Sequence, residues 1–223
     1  MKIIEALCFA RIHRHLTAAI SASLLLALLL PSRSHAIPAS SLRSGDVILL
    51  SLPCRICKVI EAEEGAPFSH MGVILRYNNQ ISVLDAYHEV RELPLSEFIK
   101  LRDPSSQPVI LRARGRAESS ISNSSFQMLL RFKLKFRGHS YDSDFLWDNR
   151  DEKGEKLYCS EFAAKFLNAY LPSPIEPKPM HFRVSREDWI RFFKGPPPDG
   201  KPGISPADFF RSPLFRNLGT LNP

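Results

Sequence analysis

The sequence predicts one α+β domain behind a removable leader. Three observations carry this reading. Short β-branched runs bounded by turn residues mix with longer helical segments, no internal repeat is present, and an apolar run near the start is cut off by Pro31. At 223 residues the chain has the length of a single domain. Its 44% hydrophobic and 24% charged residues are those of an ordinary globular protein, which excludes a disordered acidic tail, a collagen-like chain and a small disulfide scaffold. Eighteen prolines, many of them after residue 171, predict a loop-rich C-terminal part.

Residues 1–15 carry Lys2, Arg11 and Arg14 against one acid, Glu5. Leu16 to Leu30 is apolar, and Ser34-His35-Ala36 offers small residues where a signal peptidase reads. This is the three-part layout of a secretory signal. The alternative is an uncleaved anchor, but a run of about 15 is short for a span of roughly 20, and no second apolar run follows. Cleavage after Ala36 is expected, with the protein secreted or periplasmic and residues 37–223 forming the domain. No cysteine sits just after the run, so a lipid anchor is not indicated. The mature part holds 26 Lys and Arg against 22 Asp and Glu, a net charge of +4. That charge suits peripheral contact with an anionic envelope surface and gives no reason to expect a nucleic-acid partner.

Along the mature chain, Gly45-Asp46 opens a buried strand, Val47 to Leu50, ended by Pro53. Ile56 to Glu63 is a short helix stopped by Gly65 and Pro67. His70 to Tyr77 and Ile81 to Tyr87 are strands joined through Asn78-Asn79, a two-residue hairpin signal. Glu89 to Leu93 begins a further strand, Leu95 to Leu101 reads as helix, and Pro108 to Arg114 as strand. Ser119 to Phe136 is ambiguous in period, and its length favours helix, with the basic residues of 131–137 as a solvated face, the alternative being a contact with an anionic membrane or polymer. Gly138 to Glu155 is a polar, acidic, turn-rich stretch. Leu157 to Leu171 is the strongest helix, with Phe162, Ala163, Phe166, Leu167 and Tyr170 on one face. After Pro172 the pattern gives loops and two short helices, one over Ser185 to Phe193 and one opened by the capping signal Ser205-Pro206-Ala207-Asp208.

Cysteine usage narrows the chemistry. With the leader removed, Cys54, Cys57 and Cys159 remain, an odd number for an oxidising compartment. The Cys54-x-x-Cys57 spacing admits a disulfide, an unlinked pair or a thiol–disulfide redox site. Cys159 starts the best helix, where backbone N–H groups favour a thiolate; alternatively it packs as a small hydrophobe. His70 borders the apolar centre, which makes it the best candidate base among the four mature histidines, the alternative being a satisfied histidine at a sheet edge. Asp85 lies inside the apolar run Val83-Leu84-Asp85-Ala86, where a carboxylate needs a partner. If Asn78-Asn79 is a two-residue loop, paired positions sum to 157, His70 faces Tyr87, and Asp85 is the diagonal neighbour on the same face. A one-residue slip would put Asp85 on the other face. Together the three residues make a Cys–His–Asp set of thiol, base and orienting carboxylate.

Phe68-Ser69-His70-Met71-Gly72-Val73, Val83-Leu84-Asp85-Ala86, Gly138-His139-Ser140-Tyr141-Asp142 and Tyr158-Cys159-Ser160-Glu161-Phe162 occur in that order. With Ser44-Gly45-Asp46-Val47 and Ile204-Ser205-Pro206-Ala207-Asp208-Phe209, this set resembles the permuted papain-like hydrolases of the NlpC superfamily, the bacterial YiiX/YaeF-like group, and more distantly lecithin:retinol acyltransferase-like enzymes. The resemblance spans about residues 42–212. It implies a circularly permuted papain-like fold, an antiparallel sheet packed against a helix that carries the nucleophilic Cys159 at its N-terminus. It implies His70 as base, Asp85 as third member, Tyr158 as shaping the oxyanion region, and Asp46 and Tyr141 as motif residues near the site. Glu is the more familiar residue at the Asp85 position, and Asp is shorter by one methylene. Cys54 and Cys57 depart from the group's pattern.

The implied activity is an exported cysteine hydrolase that cleaves an amide through a thioester, with no cofactor. No second ligand pair supports a metal site at Cys54 and Cys57, and Asp142, Asp144, Asp148 and Asp151 do not fit a calcium-loop spacing, so they read as a solvated acidic loop. A cell-wall peptide is the first expected substrate and a lipid acyl ester or amide the second. A long apolar groove beside Cys159 would favour the lipid, and a shorter polar cleft the peptide. A non-catalytic binding module and a thiol–disulfide protein remain as other classes.

Overall fold

The computed structural model describes residues 36–222 except 116, 117 and 119–122. The expected leader and the first residues of the expected 119–136 helix lie outside the described residues.

A seven-stranded sheet organises the chain, in the order β1-β11-β6-β2-β3-β4-β5. In sequence its members are β1 (Ala36–Ile37), β2 (Val47–Leu50), β3 (His70–Tyr77), β4 (Gln80–Ala86), β5 (Val90–Pro94), β6 (Val109–Ala113) and β11 (Phe215–Leu221). All pairings are antiparallel except β1 with β11. Between and after them run α1 (Arg55–Glu64), α2 (Leu95–Lys100), α3 (Ser125–Lys135), the short pair β7 (Arg150–Asp151) and β8 (Gly154–Glu155), then α4 (Cys159–Leu167). The C-terminal part adds β9 (Lys178–Pro179), α5 (Arg186–Phe193), β10 (Pro202–Gly203) and α6 (Pro206–Arg211). Among the described residues no helix is long and apolar enough to cross a membrane.

The sheet is buried on both faces, and strand periodicity divides its side chains between two cores. Val47, Leu49, Met71, Val73, Leu75, Leu84 and Leu111 join the larger core with Met128 and Phe132 of α3, Phe162 and Phe166 of α4, and Phe209 of α6. Ile48, Leu50, Ile74, Val83 and Ile110 join the smaller one with Phe98 of α2 and Leu221. Both faces being apolar explains the unbroken run Val47-Ile48-Leu49-Leu50.

The β3–β4 hairpin turns on Asn78 (φ 49°) and Asn79 (φ 61°), both left-handed, as a two-residue type I′ loop requires. Its register pairs Tyr77 with Gln80 and Val73 with Leu84, every pair summing to 157.

Three differences from the sequence reading have physical causes. The C-terminal FRNLGTL segment was expected to be loop, yet it forms β11 against β6; a bulge between Asn217 and Gly219 hides its alternation. The strongest helix is shorter than expected, Cys159–Leu167: it closes on Asn168, whose side-chain amide bonds the Ile175 backbone and turns the chain ahead of Pro172. The acidic 142–151 stretch is not uniformly solvated: Asp142 is fully buried and its carboxylate accepts from the Asp144 and Leu146 N–H groups and from Asn149 Nδ2.

Gly72, in the middle of β3, marks the closest approach of the smaller core. A Cβ there would lie 2.4 Å from Val83 Cγ1 and 3.0 Å from the Leu84 carbonyl oxygen. Gly72→Ala is expected to destabilise the protein by roughly 1–3 kcal/mol through overpacking, measured by urea unfolding. The double variant Gly72→Ala/Val83→Ala should lose less than the sum of the single losses, because the methyl groups compete for one space.

Candidate active site

Two hairpins and one cross-connection bring the reactive residues together. His70 is the first residue of β3, where Ser69 N–H bonds the Leu50 carbonyl at 2.9 Å and Ser69 Oγ accepts from Leu52 N–H at 2.9 Å. The Ser69 hydroxyl donates to Glu61 Oε1 of α1 at 2.8 Å, so helix and strand start are tied. Asp85 stands near the end of β4 on the face that carries Val83. With the hairpin in its observed register, His70 Nε2 lies 3.1 Å from Asp85 Oδ2, both side chains being almost wholly buried.

The segment 138–142 bridges β5 to the helix that starts with Cys159. Gly138 N–H bonds the Val90 carbonyl and Val90 N–H the His139 carbonyl, each at 2.8 Å. Two residues on, Leu157 N–H bonds the Ser140 carbonyl at 2.9 Å. Cys159 then opens α4 as its first residue, with Tyr158 as an extended cap. The thiol is free and buried, and it lies close enough to His70 to raise the imidazole pKa. With Nε2 on Asp85, Nδ1 is the ring nitrogen left for a contact with Cys159.

Burial by itself would push the His70 pKa down, yet the hydrogen bonds to Asp85 and Cys159 outweigh it and raise the value to about 9. Rings fix the imidazole plane, with Phe98 at 5.4 Å and the edge of Tyr87 at 5.5 Å between centroids. Tyr141 is held well above the usual phenol range, first by burial and then by the neighbouring Cys159, so it stays a neutral O–H.

A cleft of about 470 Å³, including its open mouth, borders Cys159. Tyr141, Phe145, Tyr158, Met180, Phe182, Trp189 and Ile204 give it apolar walls. Its rim carboxylates are already engaged. Glu63 Oε2 accepts from the Arg183 and Val184 N–H groups at 2.7 and 2.6 Å, and Glu64 Oε2 pairs with Arg211 at 3.7 Å.

The other sequence candidates fall as follows. The Tyr158 ring lines the cleft, while its hydroxyl oxygen accepts from Ile204 N–H at 3.0 Å. Asp46 is a structural residue: its carboxylate is forked by Arg112, with Nε and Nη2 each at 2.7 Å, and it secures the start of β2 opposite Ile74, four residues along β3 from His70. Cys54 and Cys57 are disulfide-linked at the N-terminus of α1, whose other end contributes Ile60, Glu63 and Glu64 to the cleft.

Sequence reasoning did not reach Arg91, which bonds Asp85 Oδ1 through Nε at 2.9 Å. The signal for it is the second hairpin, in which Asp85 stands directly opposite Arg91. It also did not reach the cluster of Asp148, Glu155 and Glu161, the one set of carboxylates among the described residues close enough to hold a metal ion. The Lys165 ammonium sits among them, bonded to all three carboxylates and over the Trp147 ring. That set therefore does not fit an open metal site. Burial raises the Glu161 pKa to about 7 despite Lys165.

Residues 41–219 match the family described as permuted papain-like amidase enzyme, YaeF/YiiX, C92 family. Over 123 residues the chain is 26% identical to the uncharacterized protein YiiX of Escherichia coli K12. That stretch is 55% of this chain and 56% of the relative, so the chain spans about half the length of the curated relative it matches. The fold is similar to the crystal structure of the metalloprotein yiiX from Escherichia coli O157:H7, with a TM-score of 0.67. Identity there is 22%, covering 81% of this chain and 98% of that one, and the likeness is one of fold.

Both raised groups make stability fall with rising pH. His70 binds its proton more tightly when folded, so its contribution is complete below pH 6.5 and lost as pH rises through about 9. Glu161 acts likewise between 4.5 and about 7. Urea unfolding across this range should show both declines, the His70 part on the order of 3 kcal/mol. His70→Gln should remove the upper decline and Glu161→Gln the lower.

Proposed function

The chain belongs to the permuted papain-like amidase family, and from that membership and the site geometry we propose an exported cysteine amidase in which Cys159 is the nucleophile. The observation that carries this reading is the buried His70–Asp85 hydrogen bond beside a free Cys159 that opens a helix and lines the cleft. In the resting site the proton drawn from Cys159 already sits on His70 Nδ1, and the thiolate attacks the amide carbon. The oxyanion is met by the Cys159 backbone N–H at the helix start and by the neutral Tyr141 phenol. As the tetrahedral intermediate collapses, the C–N bond breaks and His70 returns the proton to the leaving amine, leaving a thioester. Water, deprotonated by His70, then hydrolyses that thioester and releases the acid. Asp85 holds the ring in orientation throughout.

The cleft supports an apolar acyl group on the substrate. Its walls are apolar, and its rim carboxylates are already engaged by the 183–184 segment and Arg211. A polar wall peptide, the first expectation from sequence, finds less to bind there, and a lipid-type acyl amide or ester finds more. No step is assigned to a metal, because Lys165 occupies the one such carboxylate cluster among the described residues. Export rests on the layout of residues 1–36 in the sequence, with cleavage near Ala36.

An envelope substrate of this kind fits the exposed face of α3. Phe126, Leu130 and Leu134 are 55%, 46% and 74% exposed at successive four-residue steps, and Lys133 and Arg137 lie beside them. Arg131, on another side of the helix, instead bonds the Lys165 carbonyl. Apolar anchors flanked by cations suit the surface of an anionic bilayer.

Two measurements follow. Full-length protein incubated with N-acyl amides of graded chain length and with wall muropeptides, products read by mass spectrometry, should release acid from the acyl amides; Cys159→Ala should abolish release and Cys54→Ser/Cys57→Ser should retain it. Release unaffected by Cys159→Ala would exclude this nucleophile. In vesicle sedimentation, phosphatidylglycerol should retain the protein and phosphatidylcholine should not, and Leu130→Ser/Leu134→Ser should weaken retention at least several-fold. Equal retention by both lipids would remove the bilayer assignment.

A further inference from the structure

Asp85 is fully buried and has two acceptor oxygens to satisfy. Arg91, its direct partner across the β4–β5 ladder, meets both: Nε lies 2.9 Å from Oδ1 and Nη2 3.3 Å from Oδ2. His70 Nε2 approaches the same Oδ2 at 3.1 Å. A planar fork of this kind constrains the plane of a carboxylate as well as its position, which a point charge does not. The guanidinium is itself steadied over the Tyr87 ring at 5.4 Å, and Tyr87 in turn touches the His70 ring. Asp85 is short, so a small rotation about its side-chain bonds would carry Oδ2 out of reach of the imidazole.

We propose that Arg91 is a positioning residue of this site: its fork locks the Asp85 carboxylate so that Oδ2 stays on His70 Nε2. The assignment rests on the reading of Cys159 as a nucleophile served by His70. A plain cross-strand ion pair would tie β4 to β5 and leave the imidazole indifferent. Here the pair shares an oxygen with the catalytic hydrogen bond, so losing the fork loosens that bond. The charged and titratable groups that face His70 are Asp85 from β4, Arg91 from β5, Tyr87 from the connecting loop and Cys159 from α4, with Tyr141 beside Cys159.

The test uses the full chain and two readouts: the rate of Cys159 alkylation by iodoacetamide at pH 7, followed by mass spectrometry, and the fall in unfolding free energy between pH 6.5 and 9. Arg91→Met should slow alkylation by about tenfold, corresponding to about one pKa unit lost at His70, and should shrink the pH-dependent fall. Arg91→Lys, which keeps the charge without the fork, should recover only part. Asp85→Asn should slow alkylation as well, and adding Arg91→Met to it should change the rate less than twofold, because the arginine acts through the carboxylate. A stability loss equal at every pH with alkylation unchanged would reduce Arg91 to a sheet fastener and overturn the proposal. So would a larger pH-dependent fall, which would make Arg91 a competitor for Asp85, or a full additive effect in the Asp85→Asn background. If Arg91→Met does not fold, Arg91→Gln and Arg91→Lys carry the same comparison. If Asp85→Asn itself leaves alkylation unchanged while Arg91→Met slows it, the site reading fails instead, and the proposal with it.

Discussion

A fully buried imidazole keeps its proton only when the anions beside it outweigh what burial takes away, and this constraint orders the structure around His70. Asp85 and Cys159, from elements remote in sequence, together raise the imidazole pKa against burial. Each must arrive from a fixed direction. The hairpin register delivers Asp85, the 138–142 bridge from β5 to Leu157 delivers the start of α4, and Phe98 and Tyr87 hold the ring plane. Slippage of one residue in the first hairpin would turn Asp85 to the opposite core and leave a buried carboxylate without its cation.

The cleft follows from a second set of ties, centred on α1. Glu61 bonds Ser51 and Ser69 just ahead of His70, Glu63 bonds the 183–184 segment, and Glu64 pairs with Arg211 at the end of α6. One helix thus holds three segments around the cleft. Its polar side chains are consumed in doing so, and apolar walls are what remains to meet a substrate. The disulfide fixes the start of the same helix.

Much of this was legible in the sequence because local rules agree with the global fold there. Asn78-Asn79 fixed the loop length, loop length fixed register, and register put His70 and Asp85 on one face. Ser205 and Asp208 announced α6, where the capping box is present in full. Other features were hidden because their signals are non-local. β11 carries a bulge and a glycine, so its alternation is broken, and it is stabilised by β6, about a hundred residues earlier. Arg91 lies in a short strand of mixed polarity whose register depends on a three-residue connection, so its position opposite Asp85 could not be read without fixing that loop. Asp142 looked like one member of a solvated acidic run, and only the folded loop supplies the N–H groups that make its burial tolerable.

The central claim is that His70 is an imidazolium held between Asp85 and Cys159 in the resting protein. Histidine-selective nitrogen NMR across pH 5 to 10 measures this directly. The account predicts a His70 midpoint near 9 that falls when either Asp85→Asn or Cys159→Ala is introduced. A His70 signal already neutral at pH 7, or a midpoint indifferent to both substitutions, would contradict it.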